Sequence, residues 1–252
     1  MSNVAIGIGV CVLTFVFAIG GMILQRRLPE SHMTSGASAM IGAVMGLIAL
    51  LLALVLGTLV GSSYGLYATQ KGNVELLSAR SIQLDMALKP FGAEGQPIRA
   101  ALKGAVEQAY KAIWIDEQDP RTADMGQMVA GYSLLNAAVA QLKATTPEQI
   151  AAMPTVNASI GIIEQTRLLM ALQLASPISW PLLFVVVSWA MLLFAGYGVM
   201  ARLNATAVFA AFVGAFAVGS GVFLVLELNQ PFSGLFRIPS AAVVETLAVL
   251  GK

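Results

Sequence analysis

The sequence lacks charge over four long stretches. Only 11% of its 252 residues are charged, whereas a soluble domain carries about 25%. No Asp, Glu, Lys or Arg occurs in residues 1–25, 31–70, 168–201 or 203–226. A charge at the bilayer centre costs roughly 2.5 to 3.5 kcal/mol on insertion scales, so apolar runs of this length are typical of transmembrane helices. The sequence therefore predicts an all-α, polytopic membrane protein with four transmembrane helices.

Histidine and cysteine are almost absent. His32 and Cys11 are the only residues of their kinds, which excludes an internal disulfide and any metal site rich in Cys or His. A Ser–His–Asp triad would have to use a loop histidine. The sequence has no glycine-rich phosphate-binding loop, and its net charge of +1 argues against a nucleic-acid partner. We therefore expect no enzymatic activity, no catalytic residue, no cofactor and no metal-binding residue.

The densest acidic segment contains Asp116, Glu117, Asp119 and Asp124. Carboxylate oxygens are the ligands that hard cations prefer, but this segment lacks the spacing and the glycine of an EF-hand loop. We interpret it as a solvated loop, with a bound cation as the less favoured alternative.

The apolar runs divide the chain into segments. Each run has about the 20 residues that a helix needs to cross ~30 Å of hydrocarbon. The transmembrane helices are predicted at about 4–24, 39–62, 180–200 and 206–226. The first pair of spans therefore lies in residues 1–66 and the second pair in residues 178–228. A polar insert occupies residues 67–177, and residues 229–252 form a C-terminal extramembrane segment.

The polar insert has the periodicity of helices, with apolar residues recurring every three or four positions. Lys89–Pro90 ends its first helix, and Pro97 is predicted in the first turn of the second. Thr146–Pro147–Glu148–Gln149 has the pattern of a capping box, and we expect the helix that it opens to break at Pro154. Between them lies a third apolar stripe, formed by Met128, Tyr132, Leu135, Val139 and Leu142. The insert is therefore predicted to be a helical extramembrane bundle, unless some stripes face neighbouring subunits.

Basic residues predict the orientation in the membrane. Arg26 and Arg27 lie in the short loop after the first span, and Arg202 lies in the short loop after the third. The positive-inside rule places these loops in the cytoplasm. Both termini and residues 67–177 are then expected on the outer side of the membrane. The contrary evidence is a set of basic residues close to membrane ends on the proposed outer side, namely Lys71, Arg80, Arg167 and Arg237.

Small residues repeat at one end of the second span. Gly57, Gly61 and Gly65 are four positions apart, a spacing that lets helix backbones approach closely in lipid, within one subunit or between subunits. Hydroxyl groups lie among them, and these could line an ion path, although such groups more often bond to their own helix backbone. The candidate pore or helix-packing residues are Gly57, Thr58, Gly61, Ser62, Ser63 and Gly65.

The C-terminal segment contains the most distinctive motif. Its motif residues are Glu227, Asn229, Gln230, Pro231, Phe232 and Gly234, followed by Arg237 and Ile238. This motif resembles the bacterial bestrophin-like family of membrane proteins. Four further segments agree with that family, namely Arg80–Ser81–Ile82–Gln83–Leu84–Asp85, Ile98–Arg99–Ala100–Ala101–Leu102, Gln165–Thr166–Arg167 and Ser179–Trp180–Pro181. The resemblance extends over essentially the whole chain and includes the order of two spans, an insert and two more spans.

The motif departs from the family pattern at two positions. Asn229 stands where the family usually has Asp, and Gln230 stands where it usually has Arg. A charged gate at this site is therefore not expected, whereas a structural turn built on Pro231 and Gly234 is. The resemblance also suggests bestrophins, pentameric anion channels with four membrane helices per subunit and a cytoplasmic domain between spans two and three. For the orientation we follow the local arginines instead. Since the resemblance implies a bacterial inner-membrane protein, both termini and residues 67–177 are expected in the periplasm.

Two functions compete. The resemblance and the charge-free second span imply an oligomeric ion channel with that span lining the pore. The missing catalytic groups and the small-residue faces favour an alternative, a non-catalytic structural or accessory subunit of a larger membrane complex. A membrane enzyme, the third alternative, would need acids such as Glu227, Asp85 or Glu164 at a membrane edge. The predicted partners are the lipid bilayer and either further copies of this chain or other membrane proteins.

Overall fold

The computed structural model of the chain describes residues 2–29, 34–116, 136–175 and 180–252. Within these residues every regular element is helical, which confirms the all-α fold class. The helices are α1 (Asn3–Arg27), α2 (Ser35–Leu88), α3 (Gly92–Tyr110), α4 (Pro147–Ala175), α5 (Trp180–Met200), α6 (Ala205–Leu228) and α7 (Ala241–Val249). A 3-10 turn (Lys89–Phe91) follows α2, a π-helical turn (Lys111–Ile115) follows α3, and residues 136–140 are also helical.

In the described part of the chain, four helices are long and apolar enough to cross a membrane. They are α1, α5, α6 and α2, whose apolar first part continues without interruption into the polar insert. Ser2 caps the start of α1, since its hydroxyl oxygen accepts a hydrogen bond from the Ala5 amide at 3.3 Å. Asn204 begins α6 in the same way, accepting from the Ala207 amide at 2.8 Å. Such caps satisfy amide groups that the first helical turn cannot pair.

One compact unit comprises Met1–Gly65 and Ile178–Asn229. In it α1 packs closely against α5 and α6 at glycines. A Cβ atom on Gly219 would lie 2.7 Å from the carbonyl oxygen of Gly7, and one on Gly21 or Gly198 would collide with the opposite backbone. Small residues are what allow helix backbones to approach this closely. The side chain of Leu52 on α2 packs against α5 at Val186, Ala190 and Leu193.

The second compact unit comprises Leu66–Pro177 and Gln230–Lys252. Its largest core joins the end of α2 to α3, α4 and the end of the chain, and includes Leu84, Leu102, Val156, Ile160 and Leu250. The chain reverses between α2 and α3 at Gly92, whose φ of +50° is a conformation that side-chain-bearing residues rarely adopt. Across this corner Arg99 forms an ion pair with the buried carboxylate of Asp85.

Three expectations about the insert can be compared with its helices. The capping box is confirmed, because the Gln149 side chain accepts from the Thr146 amide at 3.2 Å and the Thr146 hydroxyl accepts from the Gln149 amide at 3.3 Å. The placement of Pro97 in a first turn was wrong, because α3 begins at Gly92, directly after the 3-10 turn. The break at Pro154 was also wrong, since α4 is continuous from Pro147 to Ala175.

The packing around Pro154 explains why the helix continues. Proline removes the hydrogen bond that its own nitrogen would donate to the carbonyl of Ile150, and its ring crowds that carbonyl, at a combined cost of about 3 kcal/mol. Just beyond it, Val156 and Ile160 are 0% and 2% exposed, so core burial holds the following turns in place. The third apolar stripe lies partly within the described residues, where Val139 and Leu142 are buried in the main core. Its other members, Met128, Tyr132 and Leu135, lie outside the described residues, as do His32, Glu117, Asp119 and Asp124.

Candidate pore face and C-terminal motif

The second span presents a row of small residues on an exposed face. Gly57, Gly61 and Gly65 are exposed, and a Cβ atom on any of them would meet no described atom within 4 Å. Thr58 and Ser62 are exposed beside them. Only 6% of the most apolar part of α2 is buried, compared with 33% for α1. This part of α2 therefore makes little packing contact within the described part of its own chain.

The two exposed hydroxyl groups bond to their own helix. Thr58 Oγ1 donates to the carbonyl oxygen of Val55 at 2.9 Å, and Ser62 Oγ donates to the carbonyl oxygen of Leu59 at 3.0 Å. A hydroxyl group has one proton to donate but two lone pairs. Each hydroxyl oxygen can therefore still accept a hydrogen bond on the exposed face, but it cannot donate one there because its proton is bonded to the helix backbone.

Ser63 lies on a different face from the other five candidate residues of α2. It is 4% exposed, and its hydroxyl oxygen accepts a hydrogen bond from Asn229 Nδ2 at 2.7 Å. The same amide nitrogen donates to the carbonyl oxygen of Val225, also at 2.7 Å. Asn229 thus ties the end of α6 to α2, and the structure joins one residue of the candidate pore set to one residue of the C-terminal motif.

Glu227 is a buried carboxylate in the last turn of α6. It is 3% exposed, and Oε2 accepts a hydrogen bond from Asn3 Nδ2 at 3.0 Å. Burying a polar group without a hydrogen bond is costly, so this contact stabilises the pairing of the first turn of α1 with the last turn of α6. The retained acid of the motif therefore has a structural contact in this chain.

The remaining motif residues form a closed loop in the second unit. The Ile238 amide donates to the carbonyl oxygen of Pro231 at 2.8 Å, and the Ser233 amide donates to that of Gln230 at 3.1 Å. Gly234 has a φ of +82°, which permits the turn that glycine favours. The Ser233 hydroxyl also contacts the side-chain oxygen of Gln230, at 3.5 Å. This is the turn that the sequence led us to expect at Pro231 and Gly234.

The loop packs against the π-helical turn after α3. The rings of Phe232 and Trp114 meet edge to face with centroids 6.1 Å apart, and Trp114 Nε1 donates to the carbonyl oxygen of Ile238 at 3.0 Å. Arg237 Nη2 donates to the carbonyl oxygen of Ile113 at 2.6 Å. The sequence reasoning did not single out Trp114. One feature of the sequence could have indicated this contact. Trp114 is an amphipathic aromatic residue in an otherwise polar insert, and such residues usually find a packing surface and a hydrogen-bond acceptor.

One arginine of the second unit has a perturbed titration. Burial lowers the pKa of Arg167, on α4, to about 10, because burial disfavours its charged form. The guanidinium is still charged at neutral pH. Among the described residues, no three His, Cys, Asp or Glu side chains gather as a metal site would require.

These features define a polytopic all-α membrane protein with a helical extramembrane unit. A family model for the bestrophin-like domain matches residues 12–243, and the chain therefore belongs to the bestrophin-like family. This confirms the resemblance inferred from the motifs. Comparison with curated protein sequences finds no match.

Solved structures of membrane proteins have a similar fold. A variant of a bacterial bestrophin homologue from Klebsiella pneumoniae gives a TM-score of 0.72 at 14% identity, over 96% of this chain and 97% of that one. A second variant gives a TM-score of 0.69 at 14% identity, over 97% of each chain. A further membrane protein gives 0.70 at 15% identity, over 99% of this chain and 98% of that one. At such low identity the likeness establishes the fold.

Proposed function

We propose that the chain is one subunit of an oligomeric ion channel in the bacterial inner membrane, with α2 lining the pore. The observation that supports this most directly is a contrast between the exposed faces of the spans. Large apolar side chains dominate the exposed faces of α1, α5 and α6, including Ile8 at 59%, Phe184 at 73% and Phe209 at 67% exposure. The exposed face of α2 around Gly61 consists instead of glycines and hydroxyl-bearing residues, among them one large side chain, the phenol of Tyr64 at 60% exposure.

Such a face is poorly suited to lipid. Lipid tails offer no hydrogen-bond partner to a polar group, whereas water and protein do. Glycine also leaves the helix backbone uncovered, and small-residue faces in membranes commonly meet other helices or line cavities. Copies of the chain arranged in a closed ring would bring this face of each α2 toward a shared axis. Ring closure gives every copy the same environment and leaves no contact surface unused.

The same face of α2 has large apolar residues nearer the start of the helix. Leu47, Leu50 and Leu54 are 59%, 72% and 65% exposed. They precede Gly57 and Gly61 at intervals of three or four residues, which places them in one line along an α-helix. In a pore, leucines would form a narrow hydrophobic constriction that gates by dewetting, and the glycines would line a wider part.

Planar-bilayer recording tests this proposal. Purified protein should give ion-selective currents, and Gly61→Leu should abolish or strongly reduce them, because leucine would fill the wider part of the pore. Gly20→Leu is the matched control. Gly20 is an exposed glycine of α1 with no described atom within 4 Å of its Cβ position, so this variant should conduct like the wild type. Silent bilayers from correctly folded oligomers, or equal currents from both variants, would contradict the proposal.

The orientation that we propose follows the positive-inside rule. Arg26 and Arg27 form the last turn of α1, and Arg202 follows the end of α5, which supports a cytoplasmic location for both short loops. The chain termini and residues 67–177 would then be periplasmic. Alkaline phosphatase fused after Lys252 should be active in that arrangement. A fluorescent cytoplasmic reporter at the same position, with an inactive phosphatase fusion, would reverse it.

The alternative function is a non-catalytic subunit of a larger membrane complex. The uncovered glycine face of α2 supports it too, because a partner helix could pack against Gly57, Gly61 and Gly65. Purification in mild detergent from the native host should then recover a stoichiometric second protein. Recovery of a homo-oligomer alone favours the channel. Neither function requires a catalytic residue.

A further inference from the structure

The loop after the last span exposes two large apolar side chains at its tip. Leu235 is 76% exposed and Phe236 is 46% exposed. Two other large apolar residues of the same loop, Phe232 and Ile238, are 5% and 2% exposed. The loop therefore buries one pair of large apolar side chains and directs a second pair outward.

The outward direction is fixed by the loop itself. Its two ends are held together by the hydrogen bond from the Ile238 amide to the Pro231 carbonyl, and Gly234 supplies the turn between them. Arg237, next to the tip, donates to the carbonyl of Ile113. With Phe232 and Ile238 occupying the core, the inward positions of this loop are already filled.

The position of the tip in the chain indicates what it meets. Helix α6, a membrane span, ends at Leu228, and no charged residue occurs between Leu228 and Arg237. At ~3.5 Å per residue, Leu235 lies within about 25 Å of the end of that span. Loop tips in water usually consist of small polar residues such as Gly, Asn, Asp and Ser. Leu and Phe are the residues that amphipathic segments place at the boundary between headgroups and acyl chains.

We propose that Leu235 and Phe236 insert into the lipid headgroup region and anchor this loop to the bilayer surface. The occupant of the exposed tip is lipid, since a span ends only a few residues earlier and the charge-free stretch continues to Phe236. Through Phe232 and Arg237 the anchored loop would also hold the π-helical turn Lys111–Ile115 close to the membrane. This inference does not depend on ion conduction.

Site-specific fluorescence quenching tests the inference on the full chain. The single native cysteine is first removed by Cys11→Ser. Leu235→Cys and Phe236→Cys are then each labelled with an environment-sensitive fluorophore and reconstituted in phosphatidylcholine nanodiscs, with and without lipids that have a quenching doxyl group. Phe184→Cys, on an exposed face of α5, serves as the membrane control. Glu94→Cys, at an exposed polar position of α3, serves as the aqueous control.

Quenching at the two loop positions should approach that of the membrane control and clearly exceed that of the aqueous control. Quenching no greater than that of the Glu94→Cys label would overturn the inference. A blue-shifted emission without quenching would show that a second copy or another protein covers the tip, and a red-shifted emission without quenching would show water. Both loop side chains are exposed, so labelling requires no repacking, and either position alone gives the answer.

Discussion

Asn229 Nδ2 donates to two acceptors at once, the hydroxyl oxygen of Ser63 and the carbonyl oxygen of Val225, each at 2.7 Å. A carbonyl oxygen can only accept, so this position requires a donor. The resemblance led us to expect Asp here, and an ionised carboxylate has no proton to give. The amide is therefore matched to its surroundings in this chain, and the departure from the motif has a structural reason.

Asn229→Asp should destabilise the protein at neutral pH. A carboxylate would face the Val225 carbonyl, and the lost bond with the unpaired acceptor should cost about 1–3 kcal/mol. The same contact raises the pKa of the introduced carboxyl group, so stability should recover as the pH falls and the group regains a proton. Thermal unfolding in detergent at several pH values measures this. Ser62→Ala, which removes a hydroxyl bonded only to its own helix, should change little, and an Asp variant as stable as the wild type would refute the account.

The ion pair between Arg99 and Asp85 should contribute more to stability than the exposed pair between Lys71 and Glu75. Arg99 Nε and Nη2 lie 2.8 and 2.9 Å from the two carboxylate oxygens, and the Asp85 side chain is 2% exposed. Arg99→Ala leaves the buried Asp85 carboxylate without its partner, which should cost about 3–5 kcal/mol. Glu75→Ala provides the comparison, because the Lys71–Glu75 pair is exposed and 4.0 Å apart. Removing that pair should change the unfolding free energy by about 0–1 kcal/mol.

Because Arg167 is buried, we expect the stability of an Arg167→Lys variant to depend on pH. Arginine there stays charged at neutral pH, since its pKa is lowered only to about 10. Arg167→Lys places a group of ordinary pKa ~10.4 in the same surroundings, which should lower its folded-state pKa well below that value. The charged lysine is then disfavoured in the folded state, so the stability of this variant should rise with pH between its lowered pKa and ~10.4. Unfolding temperatures compared with the wild type from neutral to alkaline pH would show this slope, and parallel profiles would exclude it.

Local physics explains which parts of the fold could be predicted from the sequence. The spans follow from the cost of placing charge in lipid, and the capping box at Thr146 follows from a short-range exchange of hydrogen bonds. The predictions at Pro97 and Pro154 were wrong. The expectation that proline lies in the first turn of a helix or breaks it applies to an isolated helix, without tertiary packing. Burial of Val156 and Ile160 in a shared core outweighs the lost hydrogen bond and the crowding that the ring of Pro154 causes.

The contacts of the candidate site depend on distant partners. Ser63 and Asn229 are 166 positions apart, and Trp114 and Ile238 are 124 apart, so no periodicity in the sequence pairs them. The sequence also does not show which glycines pack against another helix. Gly61 and Gly219 lie in similar apolar surroundings in the sequence, yet only Gly219 meets another backbone of the chain. The sequence identifies a small residue, but whether it packs depends on which helix lies opposite it in the folded chain.

Leu54→Ala should increase conduction if α2 lines the pore as proposed. Leu54 is 65% exposed and lies on the same face of the helix as Gly61. Replacing it with alanine widens the hydrophobic constriction and lowers the barrier to its wetting. Single-channel conductance in symmetrical salt is the measurement. Leu192→Ala, at an exposed position of α5 (57%), is the control and should conduct like the wild type. Equal effects of the two substitutions would place Leu54 away from the pore.

The proposed pore should prefer cations. Thr58 and Ser62 donate their protons to Val55 and Leu59, so their oxygens present only lone pairs to the exposed face of α2. An anion needs donors or positive charge, and no Lys or Arg occurs from Ser31 to Gln70. The reversal potential across a potassium chloride gradient should therefore lie closer to the equilibrium potential of potassium than to that of chloride. Thr58→Val combined with Ser62→Ala removes both acceptors and should move it toward zero. A reversal potential on the anion side in the wild type would show that groups other than this face select the ion.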